Sequence, residues 1–289
     1  FKTNSDTEVI LAAYEHFGID QLVKKIDGMF SFVLVDHISK TIHLARDPFG
    51  KKPLYYYWNK AHGQLAFSSD IRSFEQLGIS LTLDHDALSY YFCELSTPEL
   101  LSIYKEVKKI PPGNYFSFSS TNVKTENYFR LNYSKKLNIS RTEILEESER
   151  LLENAVKKRL ISDVGVSAFL SGGIDSSLVV AMMAKNSSKP INTYTVGFSN
   201  KTFDESGYAK KVAEKWGTNH HEILMDEMSL AELKFVFEEC GEPFADASVL
   251  PTYMICSAIS KTEKVALSGD GGDEIFGGYY EYYFASRLD

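Results

Sequence analysis

The chain has 289 residues, of which 44% are hydrophobic and 24% are charged. This length predicts two domains, and the composition is typical of a soluble globular protein. The net charge of −8 argues against nucleic acid as the main partner. We find no signal peptide and no apolar run long enough to span a bilayer, so we expect a cytoplasmic protein.

The cysteines and the two ends of the chain carry further information. Cys93, Cys240 and Cys256 have neither metal-binding nor redox spacing, and we interpret them as reduced thiols that pack against other residues. The chain starts at Phe1, and the residues up to Leu288 have the pattern of an unfinished helix. We therefore interpret the sequence as part of a longer protein.

The first part of the chain combines helix patterns with short strand patterns. Ser5 and Glu8 have the spacing of a capping box, and Gly18 marks the end of the helix that they would start. A further helix is predicted at about 84–94. Alternating or aromatic-rich strand patterns occupy residues 29–36, 41–45, 53–58 and 64–68. Residues 1–135 are thus predicted to form an α+β domain.

A polar stretch without periodicity, residues 132–139, is predicted to link this domain to a second one at 140–289. Ser140 and Glu143 repeat the capping-box spacing at its start. The apolar residues near one face of the helix that follows are Leu145, Leu152, Ala155, Val156 and Leu160.

From residue 164 onward, strand patterns alternate with helix patterns, which is typical of a parallel sheet in an α/β fold. The predicted strands are 166–170, 191–198, 221–224 and 264–267. The predicted helices are 176–185, 206–216, 229–240 and 250–260.

The most informative stretch is the loop Ser171–Ser177, with the sequence Ser-Gly-Gly-Ile-Asp-Ser-Ser between a strand and a helix. Adjacent glycines allow the backbone to approach an anion, and the helix start directs free N–H groups towards the loop. The serines add hydroxyl donors. Asp175 would repel phosphate unless it binds Mg²⁺, which bridges carboxylate and phosphate oxygens.

Known phosphate loops of other types do not match this stretch. A Walker loop requires a lysine after the glycines, and the dinucleotide fingerprint requires Gly-x-Gly-x-x-Gly. The structural alternative is a serine-capped helix start after a tight turn, but all seven residues together favour phosphate binding.

A second loop rich in glycine and carboxylates, residues 268–279, follows another strand pattern. Ligands of open α/β sheets bind beyond the carboxyl ends of the strands, so both loops are candidates for one shared site. The loop contains three carboxylates and five glycines. The carboxylates would repel each other in a purely structural loop, which is the alternative.

With Thr195-Val196-Gly197-Phe198 between them, the two loops resemble the synthetase domain of glutamine-hydrolysing asparagine synthetases. The resemblance implies a parallel-sheet ATP pyrophosphatase domain, of the adenine-nucleotide α-hydrolase type, that uses ATP and Mg²⁺. It implies a metal at Asp175 and Asp273 and a catalytic role for Asp270, where many relatives have Glu. The residues that it implies for ATP binding are Leu170, Ser171, Gly172, Gly173, Asp175, Ser176, Ser177, Val196, Ser268 and Gly269.

The first domain supports the same resemblance. Its segments 22–32 and 46–56 resemble the later part of an N-terminal-nucleophile glutaminase domain of glutamine amidotransferase type 2, which implies layered antiparallel sheets. Asp6 matches the residue that binds the α-amino group of glutamine, although a helix cap is the structural alternative. The family's nucleophilic cysteine and catalytic lysine have no counterpart here, and we expect them outside this sequence.

Three other stretches remain open. Asp204 and Glu205 have the pattern of a helix cap, although the resemblance leaves contacts with substrate possible. Asp246 and Ser248 are candidates for recognition of the acceptor acid. His220 and its neighbour His221 would point to opposite faces of a strand, so we expect a structural role.

The expected function is ligation of ammonia from glutamine to a carboxylate. The resemblance implies conversion of aspartate, glutamine, ATP and water to asparagine, glutamate, AMP and pyrophosphate through β-aspartyl-AMP, in a possible homodimer. One alternative is an amidotransferase that acts on a sugar acid or a secondary metabolite. The other is a non-catalytic homologue that binds nucleotide.

Overall fold

The computed structural model describes residues 1–120, 122–199, 201, 204–225 and 228–287. The chain folds into two compact units. The first consists of Phe1–Lys136 together with Phe237–Asp246, and the second of Leu137–Val236 together with Ala247–Asp289. The first unit thus includes a segment from far along the chain, which a division near residues 135–140 does not anticipate.

The first unit contains three helices and seven strands within the described ranges. The helices are α1 (Asp6–Lys25), α2 (Ser73–Gln76) and α3 (His85–Glu94). The strands are β1 (Ser31–Asp36), β2 (Thr41–Arg46), β3 (Tyr55–Asn59), β4 (Gln64–Ser68), β5 (Val107–Lys109), β6 (Asn114–Phe118) and β7 (Val123–Asn127).

The strands of the first unit form two antiparallel sheets, with strand orders β1-β2-β6-β7 and β4-β3-β5. Leu44 and Ile110 are fully buried in one core cluster, and Phe116 is almost as well covered. Alternation of apolar and polar residues along these strands explains this burial, because successive side chains point to opposite faces. The four predicted strands are confirmed to within two residues at each end.

The capping box predicted at Ser5 is incomplete. The Ser5 hydroxyl accepts a hydrogen bond from the N–H of Thr7 (3.2 Å). Glu8 does not return a bond to Ser5, because its carboxylate accepts from the N–H groups of Lys2 (2.6 Å) and Thr3 (2.7 Å). The prediction was therefore wrong for the reciprocal bond, since the chain before the helix folds back and provides nearer donors.

Helix α1 is interrupted at Gly18, as the glycine predicted, but helical structure resumes after it. Gly18 has φ 70° and ψ 171°, a conformation that glycine adopts without steric cost. The second segment buries Leu22 and Val23 and ends at Lys25. The sequence therefore located the interruption correctly and missed the continuation.

The segment 237–246 packs in the first unit through a well-covered carboxylate. Glu242 accepts hydrogen bonds from the hydroxyl of Tyr55 (2.9 Å) and the N–H of Ile103 (2.9 Å). Its Oε2 also lies 3.0 Å from Nζ of Lys109. This arrangement satisfies a mostly buried charge, which would otherwise be costly.

The second unit alternates strands and helices. Its strands are β8 (Val166–Phe169), β9 (Asn192–Phe198), β10 (Asn219–Met225) and β11 (Val265–Leu267). The helices that begin in it are α4 (Arg141–Arg159), α5 (Ile174–Asn186), α6 (Ser206–Trp216), α7 (Leu230–Cys240), α8 (Val249–Ile259), α9 (Gly272–Phe276) and α10 (Tyr280–Ala285). All four strands are parallel, in the order β10-β9-β8-β11, which confirms the predicted parallel sheet.

Helix α4 begins with the predicted capping box. Ser140 accepts from the N–H of Glu143 (3.3 Å), and the Glu143 carboxylate accepts from the N–H of Ser140 (2.8 Å). Val156 is buried in the core cluster beneath the sheet, but Leu145 is 60% exposed. The predicted apolar face was therefore wrong at Leu145, because the packed contact begins only near the middle of the helix.

Other predicted packing residues are also exposed. Cys93 and Cys256 are exposed and Cys240 is partly covered, so the expectation that the cysteines pack was wrong for two of them. The tyrosines of residues 279–283 are also each at least 45% exposed. Leu288 lies outside the described residues. Within the described part of the chain, no helix is both long enough and apolar enough to cross a membrane.

Candidate functional site

The loop between β8 and α5 is held by its own serines. Ser171 and Ser176 share a hydrogen bond between their hydroxyls (2.9 Å). The N–H of Gly173 donates to Ser171 (3.2 Å), and the N–H of Ser171 donates to Ser176 (3.3 Å). Helix α5 has no side-chain cap at Gly173, which leaves its first N–H groups directed at the loop. The loop thus lies between a strand and a helix, as the sequence predicted, and Ser177 in the first turn of α5 is half-buried.

Gly172 is required by a close approach to the start of α6. Its φ is 86°, and a Cβ on it would lie 2.5 Å from the nitrogen of Ala209 and 2.6 Å from Cβ of Tyr208. Both contacts involve atoms near the helix backbone, which cannot move aside easily. The sequence pattern did not reveal this neighbour, because contacts between distant segments leave no local signal.

The second glycine-rich loop contacts the first. A Cβ on Gly269 would lie 2.7 Å from the nitrogen of Ser176, and a Cβ on Gly272 would lie 2.7 Å from Oδ2 of Asp175. Because β11 pairs with β8 in parallel, the loops after these strands emerge at the same edge of the sheet. The structure therefore brings together the two loops that the sequence predicted for one site.

The carboxylates of this edge repel each other. Partial burial, followed by the negative charges of Asp273 and Glu274, raises the pKa of Asp175. Asp273 is half-buried and Glu274 is exposed. Such an arrangement disfavours the charged state unless a cation neutralises it.

The residues present fit Mg²⁺ bound together with a phosphate. Across the described residues, no three His, Cys, Asp or Glu side chains gather into a metal site. A site made by Asp175 and Asp273 alone fits the coordination preference of Mg²⁺. This ion binds through one or two carboxylates and completes its coordination shell with water and substrate phosphates.

Asp270 lies on the exposed side of the second loop. Its Oδ2 accepts a hydrogen bond from the hydroxyl of Ser268 (2.9 Å). The side chain of Asp270 is exposed, whereas Ser268 is half-covered. Ser268 therefore orients Asp270, and the carboxylate stays accessible to a substrate.

A cavity of about 210 Å³ lies beside the first loop. It joins Leu170, which is buried, with Ser171 and Val196 at the carboxyl ends of β8 and β9. The residues that complete the lining are Phe169, Tyr194, Thr195, Phe198, Glu205, Pro251, Thr252 and Ile255. The sequence therefore predicted three members of the wall, but it did not predict that helix α8 forms part of it. Ser268 and Gly269 are outside this wall.

Asp6 lies in the first turn of α1 and is exposed. Its neighbour Ser5, not Asp6 itself, is the residue that caps the helix. Asp6 therefore belongs to the start of the helix without capping it, and its carboxylate faces solvent.

Two protein families match this chain, one over its first part and one over its second. The asparagine synthase family matches residues 147–289, and the family described as glutamine amidotransferase domain matches residues 1–129. Together these two matches extend over nearly all of the chain.

Individual relatives match the whole chain at moderate identity. A Methanocaldococcus jannaschii protein provisionally named glutamine-hydrolysing asparagine synthetase 2 is 36% identical over 100% of this chain and 56% of its own length. The Bacillus subtilis glutamine-hydrolysing asparagine synthetase 1 is 34% identical over 98% of this chain and 44% of its own. Amidase chyE of Penicillium rubens is 32% identical over 96% of this chain and 44% of its own length.

The chain thus spans about half the length of these relatives. Both family matches fall on the units that carry the corresponding motifs, and the relatives extend across both of them. The chain is therefore similar, across both matched regions, to glutamine-hydrolysing asparagine synthetases.

Proposed function

We propose that the protein forms asparagine from aspartate, with ATP as the energy source and glutamine as the nitrogen donor. The contact between the loops after β8 and β11 is the observation that carries this proposal, because it places phosphate-binding groups beside a cluster of carboxylates. The reaction would be ligation through β-aspartyl-AMP, with pyrophosphate and AMP as products.

In this proposal the second unit, within residues 140–289, is an ATP pyrophosphatase domain. The base of ATP lies in the cavity between Leu170 and Val196, and the phosphates lie over the loop Ser171–Ser177. Ser268 and Gly269 contact the nucleotide from the second loop. N–H groups at the start of α5 and the serine hydroxyls stabilise negative charge on the departing pyrophosphate.

Asp175 and Asp273 would hold Mg²⁺ against the phosphates. The bound ion would supply positive charge to the leaving pyrophosphate. Partial burial, followed by repulsion from Asp273 and Glu274, raises the pKa of Asp175. The repulsive part supports this assignment, because a bridging cation would relieve it. Asp270, exposed at the rim, is proposed to act on the acceptor side of the reaction.

The first unit, within residues 1–135, is proposed to be a layered glutaminase domain that supplies ammonia. Asp6 would bind the α-amino group of glutamine, which is consistent with its exposed carboxylate. We propose a cytoplasmic enzyme and a homodimer. These assignments rest on the family and not on a contact within the chain.

The test uses the full-length gene product with Mg-ATP and either ammonium or glutamine. Pyrophosphate release is measured with and without aspartate, and the amide is identified by mass. Release that depends on aspartate and yields asparagine is the expected result. No pyrophosphate with any acid, in a protein that still binds ATP, would contradict the proposal and favour a nucleotide-binding homologue.

A different acceptor is the second candidate. The amidase name of the Penicillium rubens relative, together with the presence of Asp270 where many relatives have Glu, favours testing it. Pyrophosphate release that depends on a sugar acid or another carboxylate, but not on aspartate, would preserve the mechanism and change the substrate.

A further inference from the structure

The histidine pair at the start of β10 is divided between the two faces of the sheet. His221 is exposed and stacks on the ring of Tyr194, with 4.9 Å between the ring centroids. His220 points to the other face, because successive side chains of a strand alternate. Its Nδ1 lies 3.0 Å from Oγ1 of Thr193, which lies 2.8 Å from Oγ1 of Thr218. These three side chains join the amino ends of β9 and β10 to the segment after α6.

The second ring nitrogen of His220 is buried without a hydrogen bond. Among the described residues, its Nε2 is the one buried side-chain nitrogen or oxygen that has no partner. Neither tautomer removes the problem. If Nδ1 carries the proton, the lone pair of Nε2 is unpaired, and if Thr193 donates to Nδ1, the N–H of Nε2 is unpaired. A buried polar group without a partner costs free energy and is rare in folded proteins.

The buried histidine of the first unit shows how a fold satisfies this side chain. His43 on β2 is only 6% exposed. Its Nδ1 lies 2.8 Å from Oγ of Ser117, and its Nε2 lies 3.2 Å from the hydroxyl oxygen of Tyr14. Both ring nitrogens of His43 therefore have partners, whereas His220 has a partner for one nitrogen only.

The charges around His220 do not provide the missing partner. Burial, as the largest cause, lowers the pKa of His220 from its ordinary value of 6.5. On β10, Glu222 opposes this shift and His221 adds to it, while Lys210 on α6 also adds to it. Strand β9 carries no acidic or basic residue. The Glu222 carboxylate lies further along the sheet, since a Cβ on Gly197 would be 2.6 Å from its Oε1.

We propose that protonation of His220 opens the junction between the amino ends of β9 and β10, so that mild acid loosens this end of the sheet. An imidazolium needs an acceptor at each nitrogen, and Thr193 provides only one. In the described sheet β10 is an edge strand, so it can separate from β9 without breaking the other strand pairs. The junction is at the sheet edge opposite the glycine-rich loops, so the proposal does not depend on the assignment of ATP.

The direction of the pH effect follows from the two states of the junction. When the junction is open, His220 has its ordinary pKa of 6.5, and when it is closed the pKa is lower. Below pH 6.5 the open state therefore takes up a proton that the closed state does not. The closed state is fully favoured above this pH and loses stability as the pH falls. One proton of this kind changes the opening equilibrium by at most about tenfold per pH unit.

Hydrogen–deuterium exchange of the full-length gene product, measured by mass spectrometry, tests the proposal. Rates for peptides that cover β9 and β10 are divided by the intrinsic rate at each pH, from about 7.5 to about 5.5. We expect wild-type protection of these peptides to fall by up to about tenfold over the last pH unit, while peptides that cover β8 keep theirs. His220→Gln, which takes up no proton in this range, should remove the fall.

His221→Gln is the matched control, because His221 is the adjacent histidine, is exposed and lies on the opposite face. It should keep the wild-type fall. Protection that does not change with pH in the wild type would overturn the proposal. So would an equal fall in His220→Gln, or a fall that β8 shares. His220→Asn, which also does not titrate, replaces a glutamine variant that fails to fold, and the wild-type comparison of β10 with β8 decides if neither variant folds.

Discussion

Two aspartates, one at the end of β1 and one in the first turn of α5, illustrate how structure separates a structural carboxylate from a functional one. In the first unit, Asp36 ends β1 and accepts from the N–H groups of Ile38 (2.8 Å) and Ser39 (3.1 Å) and from the hydroxyl of Tyr14 (2.9 Å). These bonds, those from Ser39 first, lower its pKa to about 2. In the second unit, burial and the negative charges of the second loop raise the pKa of Asp175.

The comparison shows that a carboxylate with unrelieved repulsion from its neighbours indicates a functional site better than a carboxylate that hydrogen-bond donors already satisfy. The donors around Asp36 satisfy its charge without any ligand. Asp175 sits among glycines and acidic neighbours, and its environment opposes its own ionisation. Perturbed titration of this kind is concentrated at functional sites, because binding or catalysis requires groups that the fold alone leaves unsatisfied.

The largest expected effect separates these two aspartates. Asp175→Asn should reduce pyrophosphate release by about a hundred- to a thousandfold, because the charge that would hold Mg²⁺ on the phosphates is lost. Its thermal stability without nucleotide at neutral pH should be unchanged or higher, because the repulsion is removed. Asp36→Asn should show the reverse, with lower stability and nearly normal turnover at a temperature where it is folded. Equal loss of turnover in both variants would break the comparison.

Gly172 and Gly271 both have positive φ, but only Gly172 also lies close to another segment. Comparing them separates the cost of a steric clash from the cost of the backbone conformation alone. Gly172→Ala should lower the free energy of unfolding by about 2–4 kcal/mol, because it combines an unfavourable φ with a clash against α6. Gly271 has a similar φ of 92°, but a Cβ on it would have no neighbouring atom within 4 Å, so Gly271→Ala should cost only about 1–2 kcal/mol. Denaturant unfolding measures both. Equal costs would show that the contact with α6 is not tight.

The pH dependence of stability tests Asp36 directly. Its pKa of about 2 in the folded state lies below the ordinary value of 3.8. The stabilisation is therefore present above about pH 4 and is lost as the pH falls from 3.8 to about 2. Melting temperatures of the wild type should fall more steeply across this window than those of Asp36→Asn. Parallel curves would contradict the role of its hydrogen bonds.

The smallest expected effect concerns the two helix starts. Ser140→Ala should lower the free energy of unfolding by about 1 kcal/mol, because α4 loses one half of a complete capping box. Ser5→Ala should cost no more than this, because the Glu8 carboxylate accepts from the N–H groups of Lys2 and Thr3 and not from that of Ser5. A clearly larger cost at Ser5 would show that the single bond to Thr7 matters more than the reciprocal pair.

Much of the fold was predictable because its signals are local. Alternating or aromatic-rich patterns located β1, β2, β3 and β4 to within two residues, and Gly18 marked the break in α1. Ser140 with Glu143 predicted a cap that the structure confirms. The errors have a common cause. Leu145 lies on the predicted apolar face and is exposed, because periodicity describes the helix and not the length of its packed contact.

The sequence by itself determined the chemistry available at the site: glycines that admit close approach, serines that donate, and carboxylates spaced along two loops. Those properties belong to residue types and short spacing. Only the tertiary structure decided that Gly272 lies against Asp175 and that α8 lines the cavity. It also decided that Glu205 lines the cavity while Asp204 accepts from the N–H of Ser206. Strand order and helix packing bring these groups together, and no local pattern encodes a contact between residues so far apart along the chain.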